Sequence, residues 1–411
     1  MATLLGFLIL LIVKYVAVDG GIQDDITADF SVKIYHHLRS IQKDENIFYS
    51  PFSIVIALGM IELGAAGTTL EQIQHVMGSN SMQRDEEFDF FQDLSQSMKA
   101  DHQQYVMEVA NSLFVREGFQ LSDNYLQMLK RYFGASVENV DFNHPSSVAD
   151  LINEWVQNQT DSKIQSLLSE EDFSALAHVV LVNAIYFKGN WKSPFRAEHT
   201  HTFPFTKDDE SEIQIPMMHQ QGDFFYGEFS DGSNEAGGVY QVLEMPYLGD
   251  KLSMMIVLPR QEVQLATLEP LIKTQLINEW ASYVKKQKVE VFLPRFKMMQ
   301  NIDLKEVLAG LGILELFSAD ADLSAMTGKK ELYISKAIHS SFIEVNEEGS
   351  EAAAASEMVV VSRMLTLNPQ VIIDHPFFFL IRNQRTGTIL FMGRVMHPED
   401  VNPNGCDFEA L

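Results

Sequence analysis

Apolar residues return every four positions near the start of the chain, at Ile26, Phe30, Ile34 and Leu38, which is one stripe of an amphipathic helix. Phe48-Tyr49-Ser50-Pro51-Phe52-Ser53-Ile54 leads into a second segment that is apolar or small at nearly every position to Gly67. It predicts a helix buried on all sides. Thr68 and Glu71 have the spacing of a capping box and predict a third, short helix. Glu86 to Lys99 reads as an exposed helix with Phe88, Phe91 and Leu94 on its apolar side, followed by a strand from Tyr105 to Val115 and a helix from Asp123 to Tyr132. Pro145 with Ser146-Ser147 opens a helix carrying Leu151, Ile152, Trp155 and Val156. Ala177 to Phe187 is a long apolar strand, interrupted only by Asn183.

The second half turns strand-rich from Phe203 to Pro259. Gln241 to Tyr247 and Leu252 to Leu258 flank Leu248-Gly249-Asp250-Lys251, a hairpin signal. Leu265 to Tyr283 predicts a helix, Val289 to Phe296 a strand and Leu304 to Leu311 a helix. Three long apolar strands follow, Glu331 to Val345, Val371 to Arg382 and Gly387 to Val395. No internal repeat and no Pro/Gly/Ser linker divides the chain. The pattern predicts a single interleaved α+β domain over residues 20–400.

One stretch carries conflicting signals. Glu344 to Pro369 opens with acids and a Gly-Ser step, runs through Ala352 to Ala355, turns apolar and carries one arginine, Arg363. Written as a strand, Ser350, Ala352, Ala354, Ser356, Met358 and Val360 share one uncharged face, while Glu351 and Glu357 fall on the other. Yet the alanine run favours helix, and the Gly-Ser step before it breaks regular structure. Local preference and strand pattern disagree. Such a segment suits a loop in one state and a strand in another, and an ordinary surface loop of biased composition is the alternative.

Composition sets the address. The 411 residues are 46% hydrophobic, enough for a large core. Leu4 to Val13 is an apolar run too short to span a bilayer, and Ala17-Val18-Asp19-Gly20 offers small residues for cleavage, so residues 1–19 read as a secretory signal. A short membrane-anchored start is the alternative. Cys406 is the one cysteine, which leaves no intrachain disulfide. Asn158-Gln159-Thr160 is an N-glycosylation sequon. The net charge of −26 repels nucleic acid and anionic membranes alike. Lys285-Lys286-Gln287-Lys288 is a local basic run that reads as a solvated helix end. The tail, residues 401–411, is acidic and only distantly like a retention signal, so retention is not expected and secretion, with or without storage in vesicles beforehand, is.

Several segments in order resemble the serpin family. These are FYSPFSI with LGAAGTTLEQI (Leu63 to Ile73), NAIYFKGNW (Asn183 to Trp191), VIIDHPFFFLI (Val371 to Ile381), FMGRV (Phe391 to Val395) and the run Glu347-Glu348-Gly349-Ser350 before the alanines. The resemblance implies the serpin fold: a large central β-sheet, further sheets, about nine helices and an exposed reactive-centre loop near residues 347–369. It also implies a suicide inhibitor of serine proteases rather than an enzyme, a monomer with a tendency to loop-sheet polymers, and no cofactor. Within the family, TKDDESEIQIPMM, EFSDGSNEAGG, VEVFLPRF and SRM resemble members directed at tissue-type plasminogen activator, with urokinase-type activator and plasmin as lesser targets.

A trypsin-like protease holds an acid at the base of its specificity pocket and takes a basic side chain there. Arg363 is the only basic residue between Glu357 and Pro369, which makes Arg363–Met364 the expected reactive bond. Gly349 lies fourteen residues before it, the family's hinge-to-bait separation. The implied hinge is Glu347, Glu348, Gly349, Ser350, Ala352, Ala353, Ala354 and Ala355. Ser53, Asn183 and His339 are polar residues within apolar segments. The resemblance assigns them to the region where the main sheet opens, and satisfied core polar groups without a gating role are the alternative. A hydrolase is disfavoured, since there is neither a Gly-x-Ser-x-Gly elbow nor a His-Glu-x-x-His motif. His199 and His201 stand at i, i+2, but no metal is expected, and His36-His37 read as solvated. The stronger rival is a non-inhibitory serpin acting as carrier, chaperone or protease substrate.

Overall fold

The computed structural model describes residues 21–80, 82–97, 104–232, 239–347 and 368–398. Helix α1 (Gly21–Ile41) buries Phe30, Ile34 and Leu38 on the expected stripe. After the short strand β1 (Ile47–Tyr49), Ser50 caps helix α2 (Pro51–Glu62) by accepting from the Ser53 N–H at 3.1 Å, with Pro51 in the first turn where no N–H is needed. Every residue of α2 is buried, as expected where ten of twelve positions are apolar or small; the exceptions are Ser53 and the terminal Glu62. Helix α3 (Gly67–Met77) starts at Gly67 without a side-chain cap. The Thr68–Glu71 box does not form. Ala66 occupies the cap position, and the adjacent Thr69 accepts from the Asp322 N–H and donates to the Glu315 carboxylate. Helix α4 (Arg84–Ser97), strand β2 (Tyr105–Arg116), helix α5 (Asp123–Phe133), helix α6 (Pro145–Gln159) and strand β4 (Val179–Gly189) follow near their expected places, and a short strand not expected from the pattern, β3 (Ser136–Val140), lies between α5 and α6.

The second half is built on strands β5 (Thr200–Thr206), β6 (Glu212–Ser230), β7 (Val239–Pro246) and β8 (Leu252–Leu258). The β7–β8 turn carries Gly249 and Asp250 at positive φ, 85° and 56°, the tight geometry that Gly-Asp allows. The single helix expected over Leu265 to Tyr283 is broken. A four-residue α7 (Leu265–Leu268) passes into a 3₁₀ turn at Pro270, and α8 (Thr274–Tyr283) starts afresh. Proline supplies no N–H to continue the first helix. Lys285, Lys286 and Lys288 belong to strand β9 (Lys285–Pro294), not to a helix end, although they are exposed. Strand β10 (Phe296–Asp303), helix α9 (Leu304–Leu311), the one-turn α10 (Ser324–Thr327) and strand β11 (Ile334–Val345) complete the run to residue 347. Beyond it, the strand expected over Val371 to Arg382 is two: β12 (Gln370–Ile372) and β13 (Phe377–Asn383), separated at Asp374-His375-Pro376, before β14 (Ile389–Val395). The break lets β12 pair parallel with β9 while β13 pairs antiparallel with β8 and β14. Among the described residues the fold is α+β with ten α-helices, two of them single turns, against the nine or so expected.

Two sheets organise these strands. One has five strands in the order β10-β11-β4-β2-β3. The other has nine, β1-β14-β13-β8-β7-β6-β9-β12, with β5 on β6. The main core lies between the sheets and against α1 and α2. Helix α6 covers the opposite face of the five-stranded sheet, where Val148, Ile152 and Val156 meet Ala110, Val180, Val182 and Ala184. The alternation of β4 serves both sides: Val180, Val182 and Ala184 face α6, and Leu181, Ile185 and Phe187 face the main core. At the other end of the core, Arg394 is 2% exposed and paired with Glu269 at 2.8 Å. It also donates to the carbonyls of Lys43 (2.7 Å) and Glu45 (3.1 Å), while Tyr35 Oη donates to Glu269 at 2.7 Å. His36 and His37 are half-buried rather than solvated, and His36 Nε2 donates to the Ile272 carbonyl at 2.8 Å.

Candidate functional site

The segment 348–367 leaves the C-terminal end of β11 in one sheet and returns at β12 in the other. Arg363, Met364, Glu348, Gly349, Ser350 and Ala352 to Ala355 lie outside the described residues, as do residues 1–20 and the tail. The structure therefore bears on the two anchors of the segment and on the sheet beside it.

β11 and β4 are neighbours and run parallel, paired from Ile334 with Val179 to Glu344 with Lys188. In this register His339 stands directly opposite Asn183, and on the other side of β4 Asn183 stands opposite Asn111. All three face the start of α2. His339 Nε2 accepts from the Ser50 N–H at 3.0 Å, so the ring proton is on Nδ1, which donates to Asn183 Oδ1. The Asn183 amide donates in turn to Ser53 Oγ (2.5 Å), to the Ser53 carbonyl (3.2 Å) and to Asn111 Oδ1. Ser50 Oγ donates to the Leu390 carbonyl at 2.6 Å, which carries the chain of bonds into β14. Ser53, Asn183 and His339 are each 0% exposed. Burial drives the His339 pKa down to about 3, so the ring is neutral. The three residues singled out in the sequence are thus brought together. Ser50 and Asn111 were not singled out, since nothing local separates them from other core polar residues.

At the top of the same seam the first residue of the expected hinge is tied down. Glu347 accepts from Thr200 Oγ1 at 2.7 Å and faces Arg295 at 3.6 Å. Asn346 gives its carbonyl to Trp191 Nε1 at 3.1 Å, and Trp191 stacks on Tyr247 with ring centroids 4.6 Å apart. Lys297 faces Glu344 at 3.9 Å, and Asn346 Nδ2 donates to the same carboxylate at 3.0 Å. The far anchor, β12, holds to β9 through the backbone. Gln370 also donates to Glu290 at 2.6 Å, and Glu290 pairs with His219 at 3.1 Å. Asn158 is exposed in the last turn of α6. His199 and His201 are exposed, and no group of three metal-ligating side chains occurs among the described residues. No described helix is long and apolar enough to cross a membrane.

Comparison with known proteins agrees with this geometry. The family model Serpin (serine protease inhibitor) matches residues 25–398. The chain is 62% identical to neuroserpin of Gallus gallus and 60% identical to neuroserpin of Homo sapiens, in each case over 99% of both chains. Serpin I2 of Homo sapiens is 38% identical over 93% of each. Among solved structures, native protease nexin-1 with heparin matches with a TM-score of 0.82 at 32% identity, over 92% of this chain and 99% of that one. Uncleaved ovalbumin matches with a TM-score of 0.83 at 31% identity, over 91% and 99%.

Proposed function

The chain belongs to the serpin family of serine protease inhibitors, and on that premise we propose that it is a secreted, single-use inhibitor of trypsin-like proteases. Its similarity to neuroserpins favours tissue-type plasminogen activator as the target, with urokinase-type activator and plasmin second. In this reading the protease serine attacks the carbonyl carbon of Arg363. The Arg363–Met364 C–N bond breaks, Met364 leaves as a free amine, and the protease stays joined to Arg363 as an ester. The upstream arm then enters the five-stranded sheet between β11 and β4, carrying the protease with it. A residue 1–19 signal, glycosylation at the exposed Asn158, storage before secretion and a tendency to loop-sheet polymers belong to the same reading.

The observation that carries it is the parallel β11–β4 seam. A chain that leaves the end of β11 and turns back runs antiparallel to β11 and to β4 alike. Insertion replaces one parallel pairing with two antiparallel ones, which are slightly more stable per residue, and adds a strand of backbone hydrogen bonds. The uncharged face of residues 350–360 suits burial, because an inserted charge would cost several kcal/mol. The Asn183–His339 contact crosses the line along which the strands must part. It is the natural control point.

Mixing the purified protein with two-chain tissue-type plasminogen activator tests this. An SDS-stable complex, with a released fragment beginning at Met364, is expected. Arg363→Ala is expected to abolish both while leaving thermal stability unchanged. Cleavage at Arg363 without a complex would make the protein a substrate and overturn the inhibitory reading, and no cleavage would overturn the assignment of the target.

A further inference from the structure

Away from the loop, three helices press two carboxyl groups together. Glu62 is the last residue of α2 and Glu87 lies in the first turn of α4, 1% and 0% exposed. Gln74 of α3 stands between them. Its one side-chain nitrogen donates to Glu62 Oε1 at 2.8 Å and to Glu87 Oε2 at 3.3 Å, so both acids sit within a hydrogen bond of the same atom. The remaining oxygens, Glu62 Oε2 and Glu87 Oε1, are buried and find no hydrogen-bond partner among the described residues.

Two carboxylate anions cannot both be held this way. One amide nitrogen is their shared donor, and each like charge would be buried beside the other. Arg84, one turn ahead of Glu87 on α4, is the cation that acts on Glu62 among the described residues. It is engaged elsewhere, with the Leu63 carbonyl at 3.2 Å and over the Phe88 ring at 5.7 Å. On α3 the neighbouring charged or titratable groups, Glu71 and His75, are exposed. Helix α1 contributes Thr27, α2 Val55, and α4 Phe90 and Phe91, with Met77, Ser79 and Met82 completing a small, partly open cavity beside Glu87. Within it Ser79 Oγ is also buried without a partner.

We propose that Glu62 and Glu87 share a single proton in the native state, and that this proton is the clasp that closes α4 onto α2 and α3. The acid pair is then O–H···O⁻ with one charge instead of two, and a short charge-assisted hydrogen bond replaces a repulsion. Desolvation, reinforced by the Glu87 charge, raises Glu62 from 4.5 to about 9, which agrees with a proton kept through the neutral range. The sign of the linkage follows. The unfolded chain gives up this proton near the ordinary glutamate value while the folded chain retains it, so stability from this site falls as pH rises between the two values. Mild acid therefore tightens this corner of the molecule.

Two measurements on the full-length protein test the clasp. In wild-type protein carrying ¹³C-labelled glutamate, one carboxyl carbon is expected to titrate far above all the others, near pH 9. Glu62→Gln supplies a permanent donor to Glu87, so that signal disappears. The variant's melting temperature is expected to exceed wild type at about pH 8.5 and to lose that advantage at about pH 5. Glu87→Gln serves as the second variant and is expected to behave alike. If every glutamate carboxyl of the wild type titrates in the ordinary range, the proposal is overturned. Melting temperatures of wild type and Glu62→Gln that run parallel over this pH range would overturn it as well.

Discussion

His339 and Asn183 face each other across the parallel β11–β4 seam, and the Nδ1–H of one donates to the Oδ1 of the other. Because the same ring accepts the Ser50 N–H at 3.0 Å, one side chain joins β11, β4 and the start of α2. Replacing it with leucine leaves the Ser50 N–H and Asn183 Oδ1 buried and unpaired, at roughly 1–3 kcal/mol each. His339→Leu is expected to lower the melting temperature and to speed polymer formation on heating, followed as a ladder on a native gel. Polymerisation at the wild-type rate would count against a gating role.

The same histidine makes stability depend on acid. Burial holds its pKa at about 3, against 6.5 in an unexceptional setting. The unfolded chain therefore takes up a proton that the native state refuses. Stability from this group is complete above the unfolded value and is lost as pH falls toward the folded one, at no more than about 1.4 kcal/mol per pH unit. Denaturant midpoints measured from neutral pH down to the range of acid unfolding should fall, and should fall less steeply in His339→Asn. Equal slopes would assign the acid sensitivity to other groups. The Glu62–Glu87 pair has the opposite sign, so the two contributions separate cleanly by variant.

Just beyond the end of β11, Glu347 is 12% exposed at its side chain, and its ion-pair partner Arg295 is 50% exposed. An exposed arginine is screened, so the pair by itself is worth no more than about 1 kcal/mol. The Thr200 hydrogen bond is part of the same anchor. Glu347→Lys loses both and sets two cations side by side. It is expected to reduce complex formation with the protease and to raise polymer yield, whereas Glu347→Gln, which keeps the Thr200 contact, is expected to stay near wild type. Side-by-side titration of the two variants against protease checks this.

Arg394 and Glu269 are both 2% exposed and lie 2.8 Å apart. Removing one member of such a pair strands the other, at about 3–5 kcal/mol. Glu269→Ala is expected to be among the most destabilising single changes in the molecule, seen as a large fall in denaturant midpoint. Arg39, 3.8 Å from Glu269 and more exposed, should matter far less when changed to alanine.

How much was legible before folding depends on the range of the interaction involved. The four-residue stripe of α1, the all-round apolarity of α2 and the Gly-Asp turn between β7 and β8 are local properties, and each element lies where its residues predict. The polar character of Ser53, Asn183 and His339 within apolar segments was equally plain. Where local signals competed with distant partners, they lost. The Thr68–Glu71 capping box does not form, and Ala66 holds the cap position of α3. The strand expected across Pro376 divides because its two halves pair with different neighbours.

The sequence by itself determined the α+β class, the family and the residues worth watching, since period, composition and motif order are carried by neighbouring positions. Tertiary structure alone decided which of those residues meet. That β11 lies parallel to β4, that Glu347 finds Arg295, and that Gln74 stands between two buried acids all depend on register and helix packing. Those are set by burial summed over the whole core, and no single segment contains them.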